Sequence, residues 1–138
     1  MDETVSIILF SGTDDKLASA AVLAAGAAAL GKPVKIFLQY WALDAFRKDR
    51  IAPDRHGLCP EAGAAGKAAV AEALKLGKGD WVATLQAAKE LGEVDIQACS
   101  LSMEIFHLEP SDLDPMVDGI QGVAAFFINA GEGQVIFI

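Results

Sequence analysis

Residues 5–38, VSIILFSGTDDKLASAAVLAAGAAALGKPVKIFL, decide the fold. Val5 to Phe10 is a run of β-branched and large apolar residues, which reads as a buried strand. Ser11-Gly12-Thr13 turns the chain, and Thr13 or Asp14 is placed to cap a helix running to about Leu30. Alanine is the best helix former, and a helix this rich in small residues can lie close against a sheet. Gly31-Lys32-Pro33 ends it, and Val34 to Leu38 is a second strand. Strand, helix and strand in that order imply a parallel pair joined by a crossover helix.

The pattern continues outward from this unit. A short helix is expected over about Ala42 to Lys48. Asp49 to Gly66 holds three glycines, two prolines and a cysteine, and reads as a long loop. Such a loop inside a compact domain is usually functional or mobile. Helices are expected over Lys67–Leu76 and, capped by Asp80, over Trp81–Leu91. Val94–Ala98 is a third strand, followed by a helix from Ser100 to about His107. A turn at 110–115, a short strand at 117–121, a helix at 122–130 and a last strand, Gln134–Ile138, complete the chain. The fold class is α/β: a mostly parallel sheet of about five strands, covered on both faces, in one domain spanning 1–138.

Composition narrows the function. At 138 residues with 53% apolar and 22% charged residues, the chain can bury a substantial core. A net charge of −8 leaves no basic footprint for nucleic acid and little attraction to anionic lipid, so neither nucleic-acid nor membrane contact is expected. Met1-Asp2-Glu3 opens acidic and leads directly into a strand, so no secretory signal is expected and the setting reads as cytoplasmic. Two cysteines there do not make a disulfide framework, and His56 and His107 lack zinc-ligand spacing, so no metal is expected.

In parallel sheets, ligands and catalytic groups gather at the carboxyl ends of the strands. Ser11–Asp14, Gln39–Trp41 and Cys99–Ser102 are expected to meet there. Cys99 ends a strand where a helix begins, in VDIQACSLSMEIF. The free amides of a helix start favour a thiolate, the reactive form of cysteine. Ser100 and Ser102 are placed to donate hydrogen bonds to it, with Met103 and Ile105 toward the core and Glu104 in solvent. Cys59, beside Arg55 and His56, is a possible second thiol, either resolving a disulfide with Cys99 or incidental. Arg47, Lys48, Arg50 and Arg55 form either a solvated surface or a cationic wall for an anionic sulfur substrate. Trp41 is a pocket wall or a subunit contact. FSGTDDK is a poor phosphate site, because its two aspartates stand where the phosphate would sit.

The stretch SIILFSGTDDKLASAAVLAAGAAALGKPVKIFLQYWAL resembles the opening half of DsrE/DsrF-like proteins. QACSLSMEIF followed by DGIQGVAAFF and QVIFI resembles their closing half. The likeness covers most of the chain apart from about Asp49 to Gly92, and its most specific element is ACSLSM, similar to the family's A-C-x-x-S-M run. The resemblance implies a flavodoxin-like three-layer α/β/α sandwich and a homo-oligomer or hetero-oligomer. It also implies a sulfur carrier or sulfurtransferase that holds sulfane sulfur as a persulfide on Cys99, with no cofactor. Its implied partners are sulfur-donor or acceptor proteins of the TusA or rhodanese kind. Ser11, Gly12, Trp41, Ser102 and Met103 match family positions as pocket or structural residues. The middle of this chain departs from the methionine-rich, basic segment of several relatives. Two other readings stand beside this one: a peroxiredoxin-like thiol redox enzyme using Cys99 with Cys59, and a non-catalytic oligomeric assembly module.

Overall fold

The computed structural model describes residues 3–138; Met1 and Asp2, part of the acidic opening, lie outside the described residues. Five strands, β1 (Val5–Leu9), β2 (Val34–Leu38), β3 (Val94–Cys99), β4 (Gly119–Gln121) and β5 (Gln134–Phe137), form one sheet in the order β4-β3-β2-β1-β5. Every pair is parallel, with Ile7 opposite Ile36 and Ile136, and Ile36 opposite Ile96. The helices are α1 (Asp14–Ala29), α2 (Tyr40–Ala45), α3 (Gly63–Lys75), α4 (Trp81–Leu91), α5 (Ser100–Ile105) and α6 (Val123–Ala130). Among the described residues no helix is long and apolar enough to cross a membrane.

Side chains alternate across each strand. Val5, Ile7 and Leu9, with Val34, Ile36, Leu38, Val94, Ile96 and Ala98, face a core closed by α1, α2 and α4. Ala20, Ala21, Ala24, Ala27 and Ala28 line the buried side of α1, so small side chains let it approach both the sheet and α4. Gly31 (φ 76°) ends α1: its N–H donates to Ala28 O at 3.0 Å and that of Lys32 to Ala27 O at 3.0 Å, satisfying two of the helix's free carbonyls. On the other face Ile8, Phe37 and Cys99 meet Phe126 of α6. Helices on both faces make the three layers.

Several boundaries differ from the sequence reading. Helix α2 stops at Ala45, because Arg47 enters an antiparallel bridge with Leu113. The long loop ends early: Pro60–Ala62 form a 3-10 turn and α3 starts at Gly63, its alanines outweighing Gly63 and Gly66. Thr13 occupies the position before α1 but makes no side-chain cap, and the Asp14 carboxylate turns to Trp81 and the His56 backbone instead. Asp80 caps α4 as expected, accepting from Ala83 N–H at 2.9 Å. Ile105 is 43% exposed rather than in the core, because the buried side of α5 is the one carrying Ser102 and Met103, and position 105 is turned away from it.

Candidate functional site at the carboxyl edge

The strand order reverses direction at β1, where β2 joins one side and β5 the other. Helix α1 leaves toward one face and α6, which leads into β5, covers the opposite face. Crevices open at such switch points. Here a cleft of about 420 Å³ lies beyond β1 and β2. Ser11, Gly12, Thr13 and Lys16 supply one wall and Trp41, Asp44 and Arg50 another. The loop residues Arg55, His56, Cys59 and Pro60 close it.

Close backbone approach shapes the floor. A Cβ at Gly12 would run into the carbonyl oxygen of Trp41, so only glycine lets the β1 exit pass the start of α2. Tyr40 holds a left-handed backbone (φ 42°), an uncommon conformation for an aromatic residue. Its N–H donates to Ser102 Oγ at 3.1 Å, and its ring packs edge-on to Phe106, with centroids 6.2 Å apart. The three expected segments therefore do meet, but through structural bonds. Ser102 is fully buried, and its hydroxyl oxygen accepts from Tyr40 N–H.

A polar network ties the long loop to α1. Asp14 is buried; its Oδ1 accepts from Trp81 Nε1 at 3.0 Å and its Oδ2 from His56 N–H at 2.9 Å. Burial raises the Asp14 pKa, and those two hydrogen bonds do not fully offset it. Burial likewise lowers the His56 pKa, against the opposing charge of Asp14. Asp15 is pushed up by burial, yet hydrogen bonds from Thr13 and Cys59 prevail and leave its pKa lowered. Cys59 N–H donates to Asp15 Oδ2 at 3.1 Å, while its Sγ lies 3.5 Å from Asp15 Oδ1 and 3.5 Å from Thr13 Oγ1. His56 Nε2 is buried without a hydrogen-bond partner, a condition that costs about 1–3 kcal/mol unless something fills it.

The structure thus gathers Ser11, Gly12, Trp41, Arg55, His56 and Cys59, all read from sequence, in one cleft. Cys99 is not among its lining residues. It is the last residue of β3, points to the α6 face, and is 6% exposed between Phe37 and Phe126. Ser100 stands beside Gly122 at the start of α6, and Met103 packs into the main core. Cys59 is anchored to α1, which covers the opposite face, so the two thiols belong to different layers. Arg47 is spent on Asp44 and Asp49, and Arg50 on Asp44 at 3.0 Å. Sequence reasoning missed Asp14 and Trp81 as loop anchors. The one signal was a tryptophan beside a helix cap, Asp80-Trp81, far from its partner in the chain. Among the described residues no cluster of three or more His, Cys, Asp or Glu side chains could hold a metal ion.

The sequence model of the DsrE/DsrF/DrsH-like family matches residues 1–83, which include every residue lining the cleft. The chain belongs to that family. YrkE of Bacillus subtilis (strain 168) is 30% identical over 149 aligned residues, covering 94% of this chain and 92% of YrkE. Two solved structures share the fold of this chain. MTH1491 from Methanobacterium thermoautotrophicum, a protein of unknown function, superposes with a TM-score of 0.59 at 12% identity, covering 99% of this chain and 100% of that one. The E. coli ychN protein gives 0.58 at 15% identity, with 100% of both chains covered. The flavodoxin-like layering expected for the family is the architecture seen.

Proposed function

We propose that this protein carries sulfane sulfur as a persulfide on Cys99 and passes it to the thiol of a partner protein. The observation that supports this most is the position of Cys99. It ends a parallel strand at the carboxyl edge of the sheet, in the ACSLSM run of a chain belonging to the DsrE/DsrF/DrsH-like family. The Cys99 thiolate attacks the outer sulfur of a donor persulfide; a new S–S bond forms as the donor's breaks, and the donor leaves as a thiolate. An acceptor thiolate then takes the outer sulfur and Cys99 is regenerated. Both halves are thiol exchange steps that need accessible thiolates and no organic cofactor or metal.

Access requires α6 to lift, because Phe126 covers the sulfur. That helix buries only Phe126 and Ala130, and elements with so few buried contacts open at low free energy. Phe127, Ile128 and Phe137 leave an apolar patch beside it, which supports self-association with a second copy of this chain. The test is to treat the protein with polysulfide and weigh it. An adduct of about 32 Da, one sulfur atom, is expected on the Cys99 peptide, lost in Cys99→Ser and kept in Cys59→Ser. An adduct found only on Cys59, or none, would overturn the assignment.

A further inference from the structure

The cleft holds the second thiol in surroundings unlike those of Cys99. We propose that it binds a small carboxylate-bearing compound containing a sulfur–sulfur bond, of the low-molecular-weight disulfide class, and presents that bond to Cys59. The charge balance points to an anion. Arg50 on the cleft wall is neutralised by Asp44, but among the described residues neither Lys16 nor Arg55 makes an ion pair. Arg55 gives Nη1 to Asp49 O at 2.8 Å and keeps its other donors. What distinguishes these two cations is their place: both line the same cleft, beside the Cys59 thiol. Trp41, 55% exposed, offers an apolar wall. The volume of about 420 Å³ suits roughly a dozen heavy atoms at about 30 Å³ for each water-sized group.

Asp15 sets the orientation. Its carboxylate sits beside the Cys59 sulfur, so the ligand's carboxylates belong at the Lys16 and Arg55 end, with the S–S bond toward Cys59. In the reaction Cys59 Sγ bonds to one ligand sulfur as the ligand's own S–S bond breaks. The departing sulfur leaves with the electron pair and takes up the thiol proton. Cys59 is oxidised to a mixed disulfide and half of the ligand is reduced to a thiol, with no other reactant. This site stands on the cleft itself and does not require Cys99 to carry sulfur.

The test compares two disulfides of similar size on the full chain, 3,3′-dithiodipropionate (two carboxylates) and its uncharged diamide, 3,3′-dithiodipropionamide, with peptide mapping to assign the modified cysteine. Cys59 is expected to react with the dicarboxylate about three- to tenfold faster, the advantage fading in high salt as screening shortens the reach of both cations. Lys16 and Arg55 are exposed, so the Lys16→Gln/Arg55→Gln variant should fold. It should remove the preference while leaving the rate with the uncharged disulfide within about twofold. Equal rates in the unaltered protein, a preference that survives the double variant, or modification confined to Cys99 would overturn the proposal. The last outcome would leave the persulfide reading intact, and an adduct confined to Cys59 in the polysulfide experiment would leave this one intact.

Discussion

On one face of the sheet, α1 and α4 bring Leu17, Trp81, Leu85 and a row of alanines against Ile7, Ile36 and Ile96, with the large side chains at most 1% exposed. On the other face Phe126 reaches Phe37 and Cys99, with partly buried Ile8 packed against them, while Phe127 (53%), Ile128 (79%) and Phe137 (65%) stay in the open. Burying a large apolar side chain contributes about 1.5–3 kcal/mol, so most of the stability belongs to the α1–α4 face. The α6 face holds the sulfur under a cover that little else fastens. For the proposed persulfide carrier, which has to persist and yet expose a buried thiol, such a division places the two tasks on opposite sides of one sheet.

The largest effect should come from breaking the tightly packed side. Trp81→Ala removes a fully buried ring and the indole donor to Asp14, so it should cost about 3–5 kcal/mol. Urea unfolding would read the loss directly. Trp81→Phe should cost less, about 1–3 kcal/mol, mainly for leaving Asp14 Oδ1 without that donor. If Trp81→Ala destabilised no more than an equal truncation on the α6 face, the division of labour would be refuted.

Phe126→Ala is that truncation. It should cost about 2–3 kcal/mol, toward the low side for a buried aromatic, because α6 has few other contacts and can settle into the space. Its sharper reading is chemical. Alkylation of Cys99 should accelerate by about tenfold, equivalent to about 1.4 kcal/mol less opening energy, while Cys59 keeps its rate. A Cys99 rate unchanged by the substitution would mean that α6 does not gate the sulfur.

Much of this architecture could be read in advance, and the reason is local. Strands buried on both faces appear as short apolar runs such as VSIILF and VKIFL, and the alanine helix between them carries its own stop signal. The carboxyl edge followed from the topology, so Ser11, Gly12, Trp41 and the loop cysteine could be brought together on paper. What stayed hidden depends on which side of a strand a residue faces and on partners distant in the chain. A one-residue step separates Ala98, in the main core, from Cys99 beneath α6. Phe126, which covers that sulfur, comes from a helix read correctly but with no sign of its target. Asp14 had every mark of a helix cap, and only the folded chain shows its carboxylate taken by Trp81 and His56.

The smallest effect lies in that network and separates the two faces by pH. Burial holds His56 below the ordinary imidazole value of 6.5, even though Asp14 pulls it upward. As pH falls below 6.5, the unfolded chain takes up a proton that folded His56 refuses, so stability declines until the folded group also protonates. Asp14 acts with the opposite sign at more acidic pH. Its raised folded pKa means the native state takes up a proton before the unfolded chain does, and the fold is favoured as that proton binds. Urea midpoints of the unaltered protein should therefore drop through the slightly acidic range, and His56→Gln should flatten that decline. The loop carrying Cys59 hangs on the same backbone amide. Expressed relative to a free thiol at each pH, which removes the common loss of thiolate in acid, Cys59 alkylation should rise over this window while Cys99 alkylation stays level. Parallel changes at both cysteines would show that acid loosens the whole molecule rather than the cleft side alone.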